Sequence, residues 1–314
     1  MNERNFSSRT TAATVAKAYD QECWKGRVVM ITGTTNGIGY ETLRAFAQMQ
    51  NAPTLIVANR NVETSKEKTK SLVEQNKDLV VHHVPLDLAS LESVRNCANE
   101  VKQLGININV LILNAGVFIS KYERSAEGYE KHFAINHLGH FTLTNELLSV
   151  LVDSATDDFL SRVVVVASHS HYQGEINFRQ LPLSIDTFGS IVTQKAYAQS
   201  KLCNVLFANE LNRRMIAQGL PVRANSLHPA TLVYSNLGNE SSLVRFFMGI
   251  CSYFTRTLEQ AAATSVFCAL AEELENKGGE YYDACSTREP SDTAKDETIA
   301  ARLWEVSTEL SLPQ

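Results

Sequence analysis

Short apolar, β-branched runs recur along the chain at 28–31, 55–58, 79–81, 110–113, 162–166 and 222–226. Each is short and apolar, as expected of strands covered on both faces. Between them lie stretches with apolar residues at helical spacing, at 61–77, 89–104 and 193–218. Strand–helix–strand alternation of this kind predicts an α/β fold: one doubly wound, mostly parallel sheet with helices on both faces, in a single domain. Ligands in such a sheet bind in the crevice beyond the carboxyl ends of the strands.

Composition narrows the picture. The chain has 314 residues, 44% of them hydrophobic and 20% charged, which is ample for a large core. A net charge of -5 gives no electrostatic reason to expect nucleic acid or an anionic membrane as partner. Six cysteines, at 23, 97, 203, 251, 268 and 285, lack paired or metal-ligand spacing and read as scattered thiols in a reducing compartment. The most apolar run, 246–254 between Arg245 and Arg256, falls short of the ~20 residues a membrane-spanning helix needs. These features predict a soluble, cytoplasmic protein with no transmembrane segment. Residues 1–24 read as a polar leader, packed or mobile, and residues 25–314 as the domain itself.

The first strand runs into Thr32-Gly33-Thr34-Thr35-Asn36-Gly37-Ile38-Gly39, with a helical stretch from Tyr40. Glycines let backbone turn sharply and approach a bulky ligand. A helix N-terminus at that point offers N–H groups and a positive dipole end to a pyrophosphate. The spacing G-x-x-x-G-x-G differs from the common dinucleotide fingerprint, but its place after strand one favours a nucleotide site over a bland loop. Arg60, ending the second strand, suits the extra phosphate of NADP, where a carboxylate would suit NAD; its plainer reading is a solvated arginine at a helix start. Asp87, followed by Leu88 after the third strand, is placed to bond an adenine amino group or to cap the next helix. Asn114-Ala115-Gly116 closes the fourth strand, where small residues let backbone approach a ribose.

Tyr197 and Lys201 stand four residues apart and share one helix face. A fixed positive charge beside a phenol is expected to pull its pKa down and make it a usable acid/base. Taken singly, Asn136 reads as a cap, Ser168 as a strand-end serine and Tyr197 as a half-buried aromatic.

Together, Thr32-Gly33-x-x-x-Gly37-x-Gly39, Asn114-Ala115-Gly116, Asn136, Ser168 and Tyr197-x-x-x-Lys201 occur in the order and spacing of the short-chain dehydrogenase/reductase family. The chain resembles that family over about residues 25–285. The strings at 136–141, 200–204 and 234–237 look like its branch of retinol dehydrogenase-like and WW domain-containing oxidoreductases, here without WW domains.

The resemblance implies a Rossmann-like, seven-stranded sheet and hydride transfer between NADP(H), or less readily NAD(H), and a carbonyl or alcohol. It implies Tyr197 as acid/base, Lys201 lowering its pKa and holding the nicotinamide ribose, Ser168 bonding the reacting oxygen, and Asn136 holding a relay water. Gly33, Thr34, Thr35, Asn36, Gly37, Ile38, Gly39, Arg60, Asp87, Leu88, Asn114, Ala115, Gly116, Tyr197, Lys201, Pro229 and Ala230 would contact the cofactor.

Two departures stand out: Pro229-Ala230 where many relatives read Pro-Gly, and Ala167 where they often carry a second serine. A substrate lid is expected near 231–256. Its apolar run at 243–250 suits a lipophilic carbonyl or alcohol substrate such as a retinoid or steroid, or else packs as a core helix. His169 and His171 would border the pocket; neither they nor His137 and His140 have the companions a metal needs. A homodimer pairing through about 125–153 and 193–218 follows from the resemblance. The alternative is a nucleotide-sensing regulatory protein on the same fold with little or no turnover.

Overall fold

The computed structural model describes residues 5–179, 181, 189–229 and 256–313, without the side chains of 189–193. The expected lid at 231–256 lies outside these residues apart from Arg256, and so does Ala230.

In chain order the elements are α1 (Ala12–Ala18), β1 (Val28–Thr32), α2 (Gly37–Ala47), β2 (Thr54–Asn59), α3 (Val62–Gln75), β3 (Val81–Pro85), α4 (Leu91–Gln103) and β4 (Val110–Leu113). A π-helical stretch, Phe133–Leu138, then runs into α5 (Gly139–Glu146), followed by α6 (Leu148–Asp153) and β5 (Ser161–Val166). After a 3-10 turn at His169–Gln173 come α7 (Gly189–Ala217), β6 (Val222–His228), α8 (Leu258–Leu270), β7 (Tyr281–Asp283), β8 (Ser286–Arg288) and α9 (Glu297–Leu310).

The strands form one sheet in the order β3-β2-β1-β4-β5-β6-β7-β8. All neighbours are parallel except β7 and β8, which form an antiparallel hairpin. The sheet therefore has eight strands where seven were expected. The extra strand is three exposed residues at the edge, too short and polar to show in an apolar pattern. The third strand also sits later than its apolar signal: Leu79 and Val80 precede it, and it runs through His82 and His83 to Pro85. β3 is an edge strand whose residues are mostly half-buried, so polar side chains are tolerated there.

Alternate strand residues feed two cores, as the pleat dictates. Met30, Ile56, Leu111 and Val163 pack with Val94, Phe141 and Leu206 on one face. Val29, Val57, Ile112 and Val164 pack with Phe46, Val15 and Val266 on the other. The second core includes the leader: Val15, Ala16 and Tyr19 of the α1 region are buried, and the Tyr19 hydroxyl donates to Glu273 at 2.6 Å. Among the described residues no helix is long and apolar enough to cross a membrane.

Strand order reverses between β1 and β4, where connections leave to opposite sides of the sheet. This switch point opens the crevice that holds the glycine turn and the Asn114 segment.

Candidate active site

The glycine turn is built by close approach. A Cβ on Gly39 would run into the Gly33 carbonyl and the Asn114 side-chain amide. Only glycine lets α2 come this near β4. The helix begins at Gly37 rather than Tyr40, so the last two glycines of the motif lie inside its first turn. No side chain caps that turn, Asn36 included, which leaves its N–H groups facing outward for an anion. Thr35 and Ile38 are half-buried beside it and Asn36 is exposed. Thr34 is instead buried: its amide donates to Asn59 Oδ1 at 2.7 Å, and Asn59 Nδ2 donates to its hydroxyl at 2.8 Å. It shapes the turn from inside.

Asn114 Nδ2 donates to the carbonyls of Thr32 and Gly33 at 3.0 and 3.1 Å. The Thr32 hydroxyl accepts from the amides of Asn114 and Ala115, both at 3.0 Å. Its own hydrogen is then free for His140 Nε2 at 2.9 Å. Burial pushes the His140 imidazole down to about 3, so the ring is a neutral strut between β1 and α5.

Arg60 follows the last residue of β2, Asn59, and is exposed, free to turn toward a phosphate. Asp87 does not cap α4; Ser90 does, accepting from the Ser93 amide. Asp87 Oδ1 accepts from the Ala89 amide at 2.9 Å and shapes the preceding turn. The Leu88 side chain is buried in the core.

At the chemical end, α7 carries Tyr197 and Lys201 beneath the carboxyl end of β5. Lys201 is buried, and its ammonium donates to the Val166 carbonyl at 3.0 Å. Burial pushes its pKa down to about 8. Tyr197 is half-buried and hydrogen-bonded to Ser168. Its pKa moves opposite to the sequence-based expectation: burial raises it, with the Ser168 bond acting the other way. The ammonium lies 5.7 Å from the ring centre and is held by Val166, so desolvation prevails over its attraction. Ser168 Oγ accepts from the Ser170 amide at 3.1 Å. It donates to the Ser170 hydroxyl at 3.3 Å, long for such a bond and readily exchanged for a better acceptor.

Asn136 sits fully buried in the π-helical stretch, a distortion frequent at functional sites. Its Oδ1 accepts from the Val117 amide at 2.8 Å, and Nδ2 donates to the Val117 carbonyl at 3.1 Å and the Ser200 hydroxyl at 3.0 Å. Both amide hydrogens are thus committed, and the side chain joins the end of β4 to α7. A Cβ on Gly116 would stand 3.3 Å from Asn136 Oδ1 and 3.5 Å from Lys201 Nζ. The bare backbone there leaves the Lys201 end of the crevice open to a ribose.

Of the two flanking histidines, His171 departs from expectation. His171 is buried, with Nδ1 donating to the Ser168 carbonyl at 2.8 Å and Nε2 accepting from the Ser291 amide at 3.1 Å. Both ring nitrogens are occupied, so it braces the Ser168 turn and does not face a substrate. His169 is exposed, its ring 4.8 Å from that of Tyr172. Pro229 is buried, and its carbonyl accepts from Arg256 at 3.0 Å.

Four further contributors had been given no role from the sequence: Phe118, Glu130, His132 and Ser200. Phe118 packs edge-on against the Tyr197 ring with centroids 5.2 Å apart. His132 lies 6.0 Å from the same ring and is bonded to Glu130. Only Ser200, adjacent to Lys201, lay within a motif already singled out.

The described residues fit a nicotinamide dinucleotide. An uncapped helix start, small residues beyond β4 and a buried lysine gather at the carboxyl ends of the strands.

The short chain dehydrogenase family profile matches residues 27–179. A WW domain-containing oxidoreductase from Gallus gallus is 36% identical over 98% of this chain and 72% of its own length. Retinol dehydrogenase 11 from Homo sapiens is 39% identical over 91% of this chain and 86% of its own. Among solved structures, an uncharacterized protein from Mycobacterium Paratuberculosis superposes with a TM-score of 0.73 at 30% identity, covering 96% of this chain and 97% of the other.

Proposed function

This chain belongs to the short-chain dehydrogenase family, and on that premise we propose that it reduces or oxidises a carbonyl/alcohol pair in a lipophilic substrate, with NADP(H) preferred. The observation that carries the reading is the convergence of Tyr197, Ser168 and Lys201 at the crevice that begins with the glycine turn.

When bound, the nicotinamide would supply or accept the hydride. The protein's own part is to hold and move a proton at the substrate oxygen. Tyr197 donates it in the reductive direction and takes it back in the oxidative one. Ser168 exchanges its long bond to Ser170 for one to the same oxygen and stabilises its developing charge. Lys201, with its proton held loosely near pH 8, steadies the phenolate and holds the ribose hydroxyls. Gly33, Thr35, Asn36, Gly37, Ile38 and Gly39 would receive the pyrophosphate, and Arg60 the 2′-phosphate. Asn114, Ala115, Gly116 and Pro229 would line the ribose and nicotinamide.

Asn136 contributes by fixing Val117 and Ser200 around the pair. With its side-chain donors committed, a relay water would depend on its remaining acceptor positions. A lipophilic substrate is supported by the exposed aromatic ring of Phe118 beside Tyr197. A cytoplasmic setting is part of the same proposal, supported by unpaired thiols among the described cysteines. Homodimerisation would have to use surfaces that α9 leaves open, because Trp304 already packs on Phe141 and Phe207.

The test is a panel of lipophilic aldehydes, ketones and alcohols followed through nicotinamide absorbance, with NADPH and NADH binding read by fluorescence. Turnover with tighter NADPH binding is expected. Nucleotide binding without turnover on any compound would favour the regulatory reading.

A further inference from the structure

We propose that the buried Glu130–His132 pair positions the tyrosine acid/base: by holding the Ile119 amide it sets the loop at 117–119 so that Phe118 closes one side of the Tyr197 ring. The inference rests on Tyr197 acting as the acid/base.

Glu130 and His132 are 3% and 1% exposed. Glu130 Oε1 accepts from the His132 amide at 3.0 Å and from Nδ1 at 2.7 Å, while Oε2 accepts from the Phe133 amide at 2.8 Å. A helix cap alone would need only the two amides. The ring bond is additional, and it fixes the tautomer. With the proton on Nδ1, Nε2 carries the lone pair and accepts from the Ile119 amide at 2.9 Å.

A carboxylate–imidazole pair resembles the base half of a hydrolytic triad, but here the outer nitrogen is capped by backbone. With that nitrogen occupied, the pair holds a loop.

That loop is pinned at two neighbouring points, Val117 by Asn136 and Ile119 by His132. Phe118 lies between them. Its ring is 41% exposed, stands edge-on to Tyr197 at 82°, and also lies 6.1 Å from the His132 ring. An apolar ring in that place is left partly in water only if the loop is held there. The groups facing Tyr197 are Lys201 on its own helix, Ser168 beyond β5, and His132 with Glu130 ahead of α5. Phe118 contributes the apolar side of this enclosure.

His132→Phe is the informative substitution. Phenylalanine keeps a ring in the same place but offers no lone pair to the Ile119 amide and no N–H to Glu130. The Ile119 amide would lose its partner, and the loop would be released.

The experiment reads the Tyr197 phenol directly by ring-carbon NMR of the free protein, its resonance assigned by loss in Tyr197→Phe. Phe118→Ala and His132→Phe should each lower the phenol pKa by about one pH unit, because burial is the first cause of its elevation. In the double variant the two effects should not add. Phe118→Ala keeps the buried pair intact, so it remains informative if His132→Phe, which strips Glu130 of its ring partner, folds poorly. Unchanged titration in Phe118→Ala, a shift in either variant alone, or full additivity would overturn the proposal. The reading needs no substrate or cofactor. Turnover surviving in Tyr197→Phe would sink the acid/base role instead, and the two failures are told apart.

Discussion

The Lys201 ammonium is bonded to the Val166 carbonyl at 3.0 Å, not to the Tyr197 phenol whose ring centre lies 5.7 Å away. The lysine is therefore anchored to the sheet before any ligand arrives, and burial alone accounts for its pKa of about 8.

This burial makes stability depend on pH. The folded pKa lies below the ordinary 10.5, so between about pH 8 and 10.5 the unfolded chain binds more protons than the folded one. Stability contributed by this group rises with pH through that window. Lys201→Met removes the titration. Urea unfolding at pH 7.5 and pH 10 should show the wild type gaining about 2 kcal/mol relative to the variant at the higher pH. A pH-independent difference would mean the ammonium is not desolvated.

Asn136 couples Val117 to Ser200 from a fully buried position. Asn136→Ala leaves the Val117 amide and carbonyl without these partners. The expected loss is about 2–3 kcal/mol in urea unfolding, accompanied by a fall in turnover as the 117–119 loop loosens. A stability change under 0.5 kcal/mol, small against the ~1–3 kcal/mol of an unsatisfied buried group, would show that the clamp is dispensable.

Much of this site was legible in the sequence. Gly39 and Asn114 serve contacts that only their residue types allow, and Tyr197 with Lys201 depends on helical spacing. Motifs of that kind survive translation into one dimension. The direction of the Tyr197 pKa did not, because it depends on how much of the crevice covers the ring. Phe118 and Glu130 were equally hidden: they come from separate segments brought together in the fold by bonds such as that between Ile119 and His132. The third strand was displaced in the sequence-based reading because an edge position tolerates His82 and His83 where a central strand would not.

Arg60 stands exposed just past the end of β2. Arg60→Ala should weaken NADPH binding about tenfold by fluorescence titration and leave NADH binding nearly unchanged. An equal loss for both nucleotides would deny Arg60 the 2′-phosphate.

Gly39→Ala places a methyl against the Gly33 carbonyl and the Asn114 amide. Neither can move without opening the turn, so nucleotide binding should be lost while thermal unfolding remains cooperative. Retained binding at wild-type affinity would show that the turn is not the pyrophosphate site.

The central claim is that Tyr197 exchanges the proton at the substrate oxygen. It is tested most directly by comparing turnover and NADPH binding in Tyr197→Phe and wild type, using a carbonyl compound that the wild type reduces. The expected result is a fall in kcat of at least about 100-fold, with NADPH affinity within about threefold of wild type because the nucleotide's anchoring lies elsewhere in the crevice. Turnover near the wild-type rate with affinity intact would contradict the assignment.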